Sequence, residues 1–581
     1  MKLAKWIPLI FTLALYGQER PSKEAVPEVS LKALEFQNAQ NSFHETDETL
    51  LFGYNLLEKS IHSNFGSALI PLWWKPSNHL ELKIRDRLDY TQTSGENYKE
   101  LYPHNFPHTK IIYAPTYVEG QKINILHNRR YKFGSVLVDY NRLISEGFLL
   151  HEKNKHSYFV LHANFQHPNI PYSSNIRFHF YKNESEWNGG LSNHNLFTEN
   201  SETNWKVFPV NWGELKTKIN RKGLDWKHNY SISEKSELEY EINLHIDTLH
   251  YEGLRDDTLV YPSRTDSSSA LTRISSNTLQ NIKWKHQIDS LNEVTFGIKH
   301  QHFKYQSTNL NRWMLFGYLS SKKLDNSFYL SYHKDIDKPA NFIGRYQQNV
   351  SLFGLKHHFK LAYEKTLPNW LMQNDYTLFS VGQSSALNDL KPSTDQYIEW
   401  TTSLTDRISV FNSFHQIEHF YFYNETAMAT VSEKAIHLFQ SRLKHHLTYK
   451  KWHWQGEIAH QHSSNLNIPL AKIIAHQKLY WEGYALKKAT KAQIGTRILY
   501  KSEHSGMVFS PLLNDFFLAP SYKSAASLRC DLFANFQVKT LKIFLSYEHF
   551  NSLWEGNQFV LNPFPVAKPL FRMSLIWNFY D

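Results

Sequence analysis

The sequence predicts an all-β protein, specifically a transmembrane antiparallel up-and-down β-barrel of an outer membrane. Three observations predict it: an N-terminal segment typical of exported proteins, repeated alternation of apolar and polar residues, and a C-terminal strand that is rich in aromatic residues. Alternate side chains of a strand face opposite sides, so one face can meet lipid and the other water. The spacing of strand-like segments and turns predicts about 16–20 strands, with about 18 as the best single value. The number is expected to be even if both termini lie in the periplasm.

The N-terminus has the layout of a signal peptide. Lys2 and Lys5 precede a short apolar run over residues 6–16, and cleavage after Gly17 would fit. The run is too short to cross a bilayer as a helix. Residues 1–17 are therefore predicted to be a signal peptide.

The mature chain divides into two predicted parts. Residues 18–75 lack regular alternation, and they are predicted to form an N-terminal periplasmic extension or a partial plug. Residues 76–581 are predicted to form the barrel. The extension is short for the folded plug of an active-transport receptor.

Composition excludes several other classes of protein. The mean hydropathy is −0.52, and apart from the N-terminal run no apolar stretch could span a membrane as a helix. Aromatic residues make up 15% of the chain, which fits the aromatic girdles of an outer-membrane barrel. The net charge of +10 is spread along the chain, so nucleic acid is not expected as a partner. The single cysteine, Cys530, excludes an intramolecular disulfide and a CxxC-type metal site.

The last strand shows the alternation most clearly. Between residues 571 and 579 every odd-numbered position is apolar, and the even-numbered positions are polar except Ile576. Four other segments alternate clearly, at 159–165, 491–501, 528–538 and 541–547. Noisier segments occur at 109–118, 121–129, 131–143, 173–183, 224–250, 276–306, 309–333, 340–363, 371–382, 395–425, 435–462 and 470–485.

The links between these segments are of two kinds. Tight turns are predicted at 289–290, 322–323, 405–407 and 450–451. Long polar loops are predicted at 184–222, 251–275, 383–394 and 502–523. Outer-membrane barrels have this asymmetry, with short periplasmic turns and long external loops.

Several short motifs occur in an order that points to one family. Residues 64–68 form a glycine-containing N-terminal segment, 117–127 and 133–140 have the pattern of early barrel strands, Glu146-Gly147 follows them, and 188–191 reads Asn-Gly-Gly-Leu. With the signal peptide and the last strand, this order resembles the outer-membrane family known as putative porins, over nearly the whole mature chain. The resemblance implies an outer-membrane barrel and a channel, and it supplies no catalytic residues.

The sequence offers little support for catalytic or metal chemistry. His300 and His302, like His460 and His462, lie two residues apart on one strand face, which suits two metal ligands. Neither pair has an evident third ligand, and coincidental pairs are expected among 32 histidines. No spaced nucleophile motif is present either. We therefore predict no catalytic, cofactor-binding or metal residues, and no enzymatic activity.

The leading interpretation is a porin-like channel for passive diffusion of small polar solutes. One alternative is a ligand-specific or plugged uptake or binding barrel of the outer membrane, and another is a secreted carbohydrate-binding β protein. The predicted partners are outer-membrane lipid, the barrel-assembly machinery acting on the C-terminal strand, and small polar solutes. The oligomeric state stays open.

Overall fold

The structure is a computed structural model of the 581-residue chain. It describes residues 59–61, 64, 69–75, 107–116, 119–199, 204–253, 270–305, 308–322, 325–334, 340–368, 391–486, 489–511, 513, 515–521, 523–555, 559–561 and 563–580. The predicted signal peptide, much of the predicted extension and the predicted strand at 371–382 lie outside these residues.

Twenty-two antiparallel strands form a closed barrel in which every strand pairs with its neighbours in sequence. The strands are β1 His108–Pro115, β2 Gln121–Tyr131, β3 Gly134–Ser145, β4 Asn154–Gln166, β5 Tyr172–Glu186, β6 Lys216–Ser233, β7 Ser236–Glu252, β8 Ala270–Gln287, β9 Asn292–Tyr305, β10 Thr308–Ser321, β11 Asn326–Lys334, β12 Asn341–Leu352, β13 Leu355–Thr366, β14 Ser393–Thr405, β15 Ile408–Glu418, β16 Ile436–Tyr449, β17 Trp452–Ser463, β18 Ile473–Ala485, β19 Thr490–Lys501, β20 Ser527–Val538, β21 Leu541–Glu548 and β22 Leu570–Tyr580. The pairing of β22 with β1, with Phe579 opposite Thr109, closes the barrel. The predicted all-β antiparallel barrel is confirmed.

The predicted count of about 18 strands is wrong. Apolar residues also face the interior, and they obscure the alternation that marks a strand in sequence. Val160 of β4, Ile219 of β6, Leu249 of β7 and Phe303 of β9 are all buried inside the barrel. Some of the noisier predicted segments accordingly combine two strands, as 276–306 contains most of β8 and all of β9.

The two faces of the closing strand are as predicted. Phe571 is 63% exposed and Trp577 42% exposed on the outer face, whereas Arg572 is buried on the inner face. Ile576, the one apolar residue among the polar positions, faces inward. It packs in a small cluster with Ile112, Ala114 and Phe544. An apolar outer surface and a polar inner one are the reverse of a soluble protein and suit a lipid environment.

The barrel has a short-turn end and a long-loop end. Three of the predicted tight turns lie at the short-turn end: 289–290, 405–407 and 450–451. Lys450 has a φ of 56°, in keeping with the twist that a two-residue hairpin requires. The first barrel residue, His108, and the last, Tyr580, pair at the same end. This is the periplasmic end, since outer-membrane barrels place their short turns there.

Lys59–Ile61 and Leu69–Pro71 of the N-terminal segment pair in a two-stranded sheet. The long-loop end carries the other described elements. The link between β5 and β6 contains helix α1 (His194–Glu199) and a 3-10 turn (Trp205–Val207), and the link between β21 and β22 contains α2 (Ser552–Glu555). Small sheets are formed by Tyr421–Tyr423, Ala429–Val431, Met507–Ser510 and Asp515–Leu518, and by Phe559–Leu561 with Phe564–Pro565. In the part of the chain that the structure describes, no helix is long and apolar enough to cross a membrane.

Candidate functional site in the barrel lumen

Residues Leu72–Trp74 of the N-terminal segment contact the inner wall of β16 and β17. The Gln461 Nε2 atom donates a hydrogen bond to the Leu72 carbonyl oxygen at 2.6 Å, and the Gln440 Nε2 atom donates to the Trp74 carbonyl oxygen at 3.1 Å. Both glutamines are buried. Because these bonds join main-chain atoms to side chains of the wall, they hold this part of the segment inside the barrel.

Aromatic and cationic side chains support the same contact. The Trp73 ring lies edge-on to Phe411 of β15, with 6.2 Å between ring centroids. The guanidinium of Arg442 lies over both rings, 5.3 Å from the Trp73 centroid and 5.5 Å from that of Phe411. Trp74 packs against His415 at 4.8 Å. A cation over an aromatic face is attracted by the electrons of the ring, so Arg442 helps to fix Trp73.

Asn64 contacts a different part of the wall, where β3 and β4 meet. Its Nδ2 atom donates to the carbonyl oxygens of Glu152, at 2.7 Å, and Ser145, at 3.2 Å. The Ser145 hydroxyl donates in return to Asn64 Oδ1 at 2.6 Å. Asn64 is fully buried. The N-terminal segment is therefore bonded to the wall in two places near the long-loop end.

The Glu152 carboxyl group lies just behind the Asn64 contact, in the link between β3 and β4. Its Oε2 atom accepts hydrogen bonds from the backbone N–H groups of Phe148, at 3.0 Å, and Leu149, at 3.1 Å. Burial raises the pKa of Glu152 to about 7, and the two N–H groups only partly oppose this effect. The group can thus change charge near neutral pH.

Two long links fold inward over the lumen and meet the N-terminal segment. Trp187, from the link after β5, stacks on Phe509 from the link after β19, with 5.0 Å between centroids. Both belong to a buried cluster that also contains Leu72 and Trp73. The indole N–H of Trp187 donates to the Thr217 hydroxyl at 2.9 Å. This aromatic cluster joins the links, the wall and the N-terminal segment.

The Asn-Gly-Gly motif forms a turn beside this cluster. Gly189 and Gly190 have φ values of 66° and 80°, a conformation that glycine adopts without strain. A Cβ atom on Gly189 would come within 2.6 Å of the Trp212 ring. The Gly190 N–H donates to Asn188 Oδ1 at 2.9 Å. Gly189 therefore allows the link to pass tightly over Trp212.

The inner wall of β19–β22 carries a buried ion-pair network. Asp531 contacts Arg497 at 3.5 Å and Arg529 at 2.8 Å, and Glu548 contacts Arg529 at 3.0 Å and Arg572 at 2.6 Å. Arg529 and Arg572 lie on the inner faces of their strands, as the alternation over 528–538 and 571–579 predicts. These groups are paired with carboxylates and largely shielded from solvent.

The two histidine pairs, His300 with His302 and His460 with His462, face outward. His300 lies against Trp313, with 4.2 Å between centroids, and the Trp313 ring is on the exposed outer face. His302 lies on the same face and bonds to Asn311. His460 and His462 are exposed on the outer face of β17. Among the described residues, the structure groups none of the four with further metal-ligating side chains.

The sequence did not predict the contacts between the N-terminal segment and the lumen wall. Gln440 and Gln461 occupy inward positions of strands in which polar and apolar residues alternate. From the sequence alone, a glutamine that faces water cannot be distinguished from one that is bonded to another segment of the chain. Only the irregular pattern of the extension, with its adjacent Trp73 and Trp74, hinted that it packs against something. The partial plug was accordingly one of two roles considered for residues 18–75.

Comparison with a family model gives the relationship of the chain. The model of the family described as "Putative porin" matches residues 42–581. The chain belongs to this family. The resemblance in its motifs is thereby confirmed, and so is its location in the outer membrane. A comparison with curated proteins found no match.

Solved structures of outer-membrane transporters share the fold at low sequence identity. The FrpB iron transporter from Neisseria meningitidis (F3-3 variant) matches with a TM-score of 0.58 and 10% identity, over 82% of each chain. A mutant of the ferric enterobactin receptor PfeA from Pseudomonas aeruginosa matches with a TM-score of 0.62 and 11% identity, over 82% of this chain and 81% of that one. The copper transporter OprC matches with a TM-score of 0.59 and 12% identity, over 81% and 80%.

The expectation of passive diffusion through an open porin is wrong. Barrels of about 16–18 strands leave an aqueous channel, whereas 22-stranded outer-membrane transporters have a filled lumen. This chain has the larger barrel, and its structural neighbours are transporters of that kind. The closed barrel with an apolar outer face, in an outer-membrane family, also removes the secreted carbohydrate-binding alternative.

Proposed function

We propose that this protein is a ligand-specific uptake barrel, in which residues 18–75 act as a partial plug that must rearrange before a small ligand can pass. The observation that carries the proposal is the attachment of Asn64 and Leu72–Trp74 to the inner wall. In an open pore this region would be filled by water. Here Asn64 and Leu72–Trp74 form buried hydrogen bonds to the wall at two separate places.

Burial of the inner wall supports the same proposal. Polar side chains that face the lumen are almost completely shielded on several strands, and a water-filled pore would leave them accessible. They include Arg273, Asn281, Gln301, Arg312, Gln461, Arg497 and Asp531. Shielding that extends from β8 to β20 supports the proposal of a lumen filled over much of its circumference.

The structural neighbours suggest the class of ligand. Their names describe an iron transporter, a ferric enterobactin receptor and a copper transporter. We propose that this chain likewise takes up a small ligand. The aromatic cluster of Trp187, Phe509 and Trp73, with Arg442 nearby, is buried while Leu72–Trp74 is in place. Once this segment rearranges, the cluster would contact a ligand that enters between the long loops, since it combines flat apolar surfaces with a positive charge.

Conductance in a planar bilayer tests the proposal. The intact protein should be silent or nearly so, and deletion of residues 18–75 should give steady ohmic steps. A full-length Gln440→Ala, Gln461→Ala double variant should give intermittent openings, because it lacks the bonds to Leu72 and Trp74. Gln477→Ala is the matched control, since Gln477 lies on β18 and bonds to Trp454 and Glu457.

Two results would contradict the proposal. Steady conductance of the intact protein would mean that the lumen is open. Silence of the deletion variant, when gels show that it is folded, would mean that residues 18–75 do not close the barrel.

A further inference from the structure

A cluster of His179, Asp225 and His245 lies on the lumen wall halfway along β5–β7. These strands are adjacent, and Gly223 of β6 stands opposite both His179 of β5 and His245 of β7. Asp225 is two residues beyond Gly223, so it faces the same side. The outer positions of these strands hold exposed residues such as Phe180 and Ile246. The cluster therefore points into the barrel.

The distances within the cluster suit a metal ion. One potential ligand atom from each of the three residues lies within 4.8 Å of the other two. The Nε2 atom of His245 is 2.9 Å from Asp225 Oδ1, and the Nδ1 atom of His179 is 3.6 Å from Asp225 Oδ2. Metal–ligand bonds to imidazole and carboxylate are about 2.0–2.2 Å long, so the three atoms could share one ion after movements of less than about 1 Å.

His179 supplies a second, independent observation. Its side chain is 8% exposed, and its Nδ1 atom has no hydrogen-bond partner. A buried ring nitrogen without a partner costs free energy, because water solvates that atom in the unfolded chain. The nitrogen points toward Asp225 but is too far away for a hydrogen bond. An ion bound beside Asp225 would give this nitrogen a partner.

Gly223 makes room for the two imidazoles. A Cβ atom at this position would lie 2.2 Å from His179 Cε1 and Nε2, and 2.8 Å from His245 Cδ2. The two rings meet over the glycine edge to face, with 5.0 Å between their centroids. Any side chain here would push the rings apart and away from Asp225. The glycine thus lets two histidines from non-adjacent strands approach each other.

Arg177 holds the carboxylate in place. Its Nε and Nη2 atoms contact Asp225 Oδ2 at 2.7 Å and 2.5 Å, which leaves Oδ1 directed at His245. A hydrogen bond to the second oxygen of a carboxylate ligand fixes its orientation, as outer-shell partners commonly do. The positive charge of Arg177 opposes cation binding, whereas the negative charge of Asp225 favours it.

We infer that His179, Asp225 and His245 form a binding site for a divalent transition-metal ion of the Zn²⁺ class on the lumen wall. Two imidazoles and one carboxylate are a donor set for Zn²⁺, Co²⁺, Ni²⁺ or Cu²⁺, and they leave a fourth position for water or another ligand. The site does not depend on the proposed uptake function, since it is formed by barrel strands alone.

Metal binding to the full-length protein in detergent tests the inference. After treatment with a chelator, the protein is titrated with Zn²⁺ and bound metal is measured by mass spectrometry. Co²⁺ is then used as a spectroscopic probe, since its visible absorption reports the ligand geometry. We expect one tight equivalent in the wild type, and at least about tenfold weaker binding in His179→Ala and in His245→Ala, because each removes a ligand.

Two further variants separate this site from other histidines and from misfolding. The His300→Ala, His302→Ala double variant removes an outward-facing pair and should keep the tight equivalent. Gly223→Ala keeps all three ligands but should weaken binding, because the rings are displaced. A shift in gel mobility on heating identifies folded protein in every case. Absence of a tight equivalent in the wild type, or its retention in folded His179→Ala, would overturn the inference.

Discussion

Arg572 on the closing strand and Glu548 on its neighbour form a buried ion pair, with Nη2 and Oε1 only 2.6 Å apart. The Arg572 Nε atom donates to the same oxygen at 2.8 Å. The other oxygen of Glu548 accepts from Arg529 of β20 at 3.0 Å. One carboxylate therefore links three consecutive strands, and it does so beside the seam where β22 meets β1.

Replacement of Glu548 by alanine should destabilise the barrel strongly. It leaves two guanidinium groups without the carboxylate they share, and loss of one partner of a buried pair costs about 3–5 kcal/mol. The midpoint of urea unfolding in detergent, followed by loss of the folded band on gels, measures the effect. Glu433→Ala is the control, because Glu433 is exposed in the link after β15. Equal midpoints for the two variants would show that the network is solvated.

Glu152 should make stability depend on pH. Burial raises its pKa from 4.5 to about 7, so its carboxyl group favours folding below about pH 4.5, and this contribution is lost as pH rises through about 7. Glu152→Gln stays neutral. The variant should therefore gain stability relative to the wild type between about pH 5 and 8, by on the order of 2–3 kcal/mol.

Urea unfolding at a series of pH values measures this difference. Asn64→Ala is the matched control, because it removes the bonds to the Glu152 and Ser145 backbones but keeps the carboxyl group. It should lower stability by about 1–2 kcal/mol at every pH and keep the wild-type slope. A constant difference between wild type and Glu152→Gln would mean that folding does not raise the pKa of the carboxyl group.

The thiol of Cys530 should react with reagents that dissolve in the lipid, and only poorly with charged reagents in water. It lies on the outer face of β20 between Leu528 and Leu532, which are both exposed. In membranes, a lipid-soluble maleimide should label it faster than a charged methanethiosulfonate reagent. A Cys530→Ser, Lys450→Cys variant places the thiol in an exposed turn and should react quickly with both. Rapid labelling of wild-type Cys530 by the charged reagent alone would mean that the faces of β20 are reversed.

The sequence predicted the faces of the strands well but not the contents of the lumen. Alternation distinguishes Leu528 from Arg529, because lipid and the barrel interior select different side chains. It does not reveal whether inward groups meet water or other protein. Asp531, on the polar face of the strand at 528–538, would meet water in an open channel and is instead fully buried. The contacts of Gln461 depend on a segment nearly 400 residues earlier in the chain.

The prediction of sites was also limited because the sequence does not reveal which residues of neighbouring strands stand opposite each other. His179 and His245 come together only because each stands opposite Gly223. No local spacing in the sequence encodes that alignment. The local pairs such as His300 and His302 were visible but point toward lipid. A site whose residues come from different barrel strands therefore cannot be found by searching the sequence for short motifs.

The last strand should tolerate a new charge on its inner face but not on its outer face. Trp577 is outward and lies 4.2 Å from the Phe579 ring, so Trp577→Asp puts a carboxylate on the lipid side of the aromatic end. This costs up to about 2 kcal/mol, depending on depth in the bilayer, and it alters the end that we expect the assembly machinery to recognise. Asn578 is the control. Its Oδ1 atom bonds to His108 Nε2 at 3.0 Å, and an aspartate there can accept the same bond. The fraction of heat-modifiable protein in outer membranes should fall sharply for Trp577→Asp and stay close to wild type for Asn578→Asp, and equal assembly of the two would contradict the assigned faces.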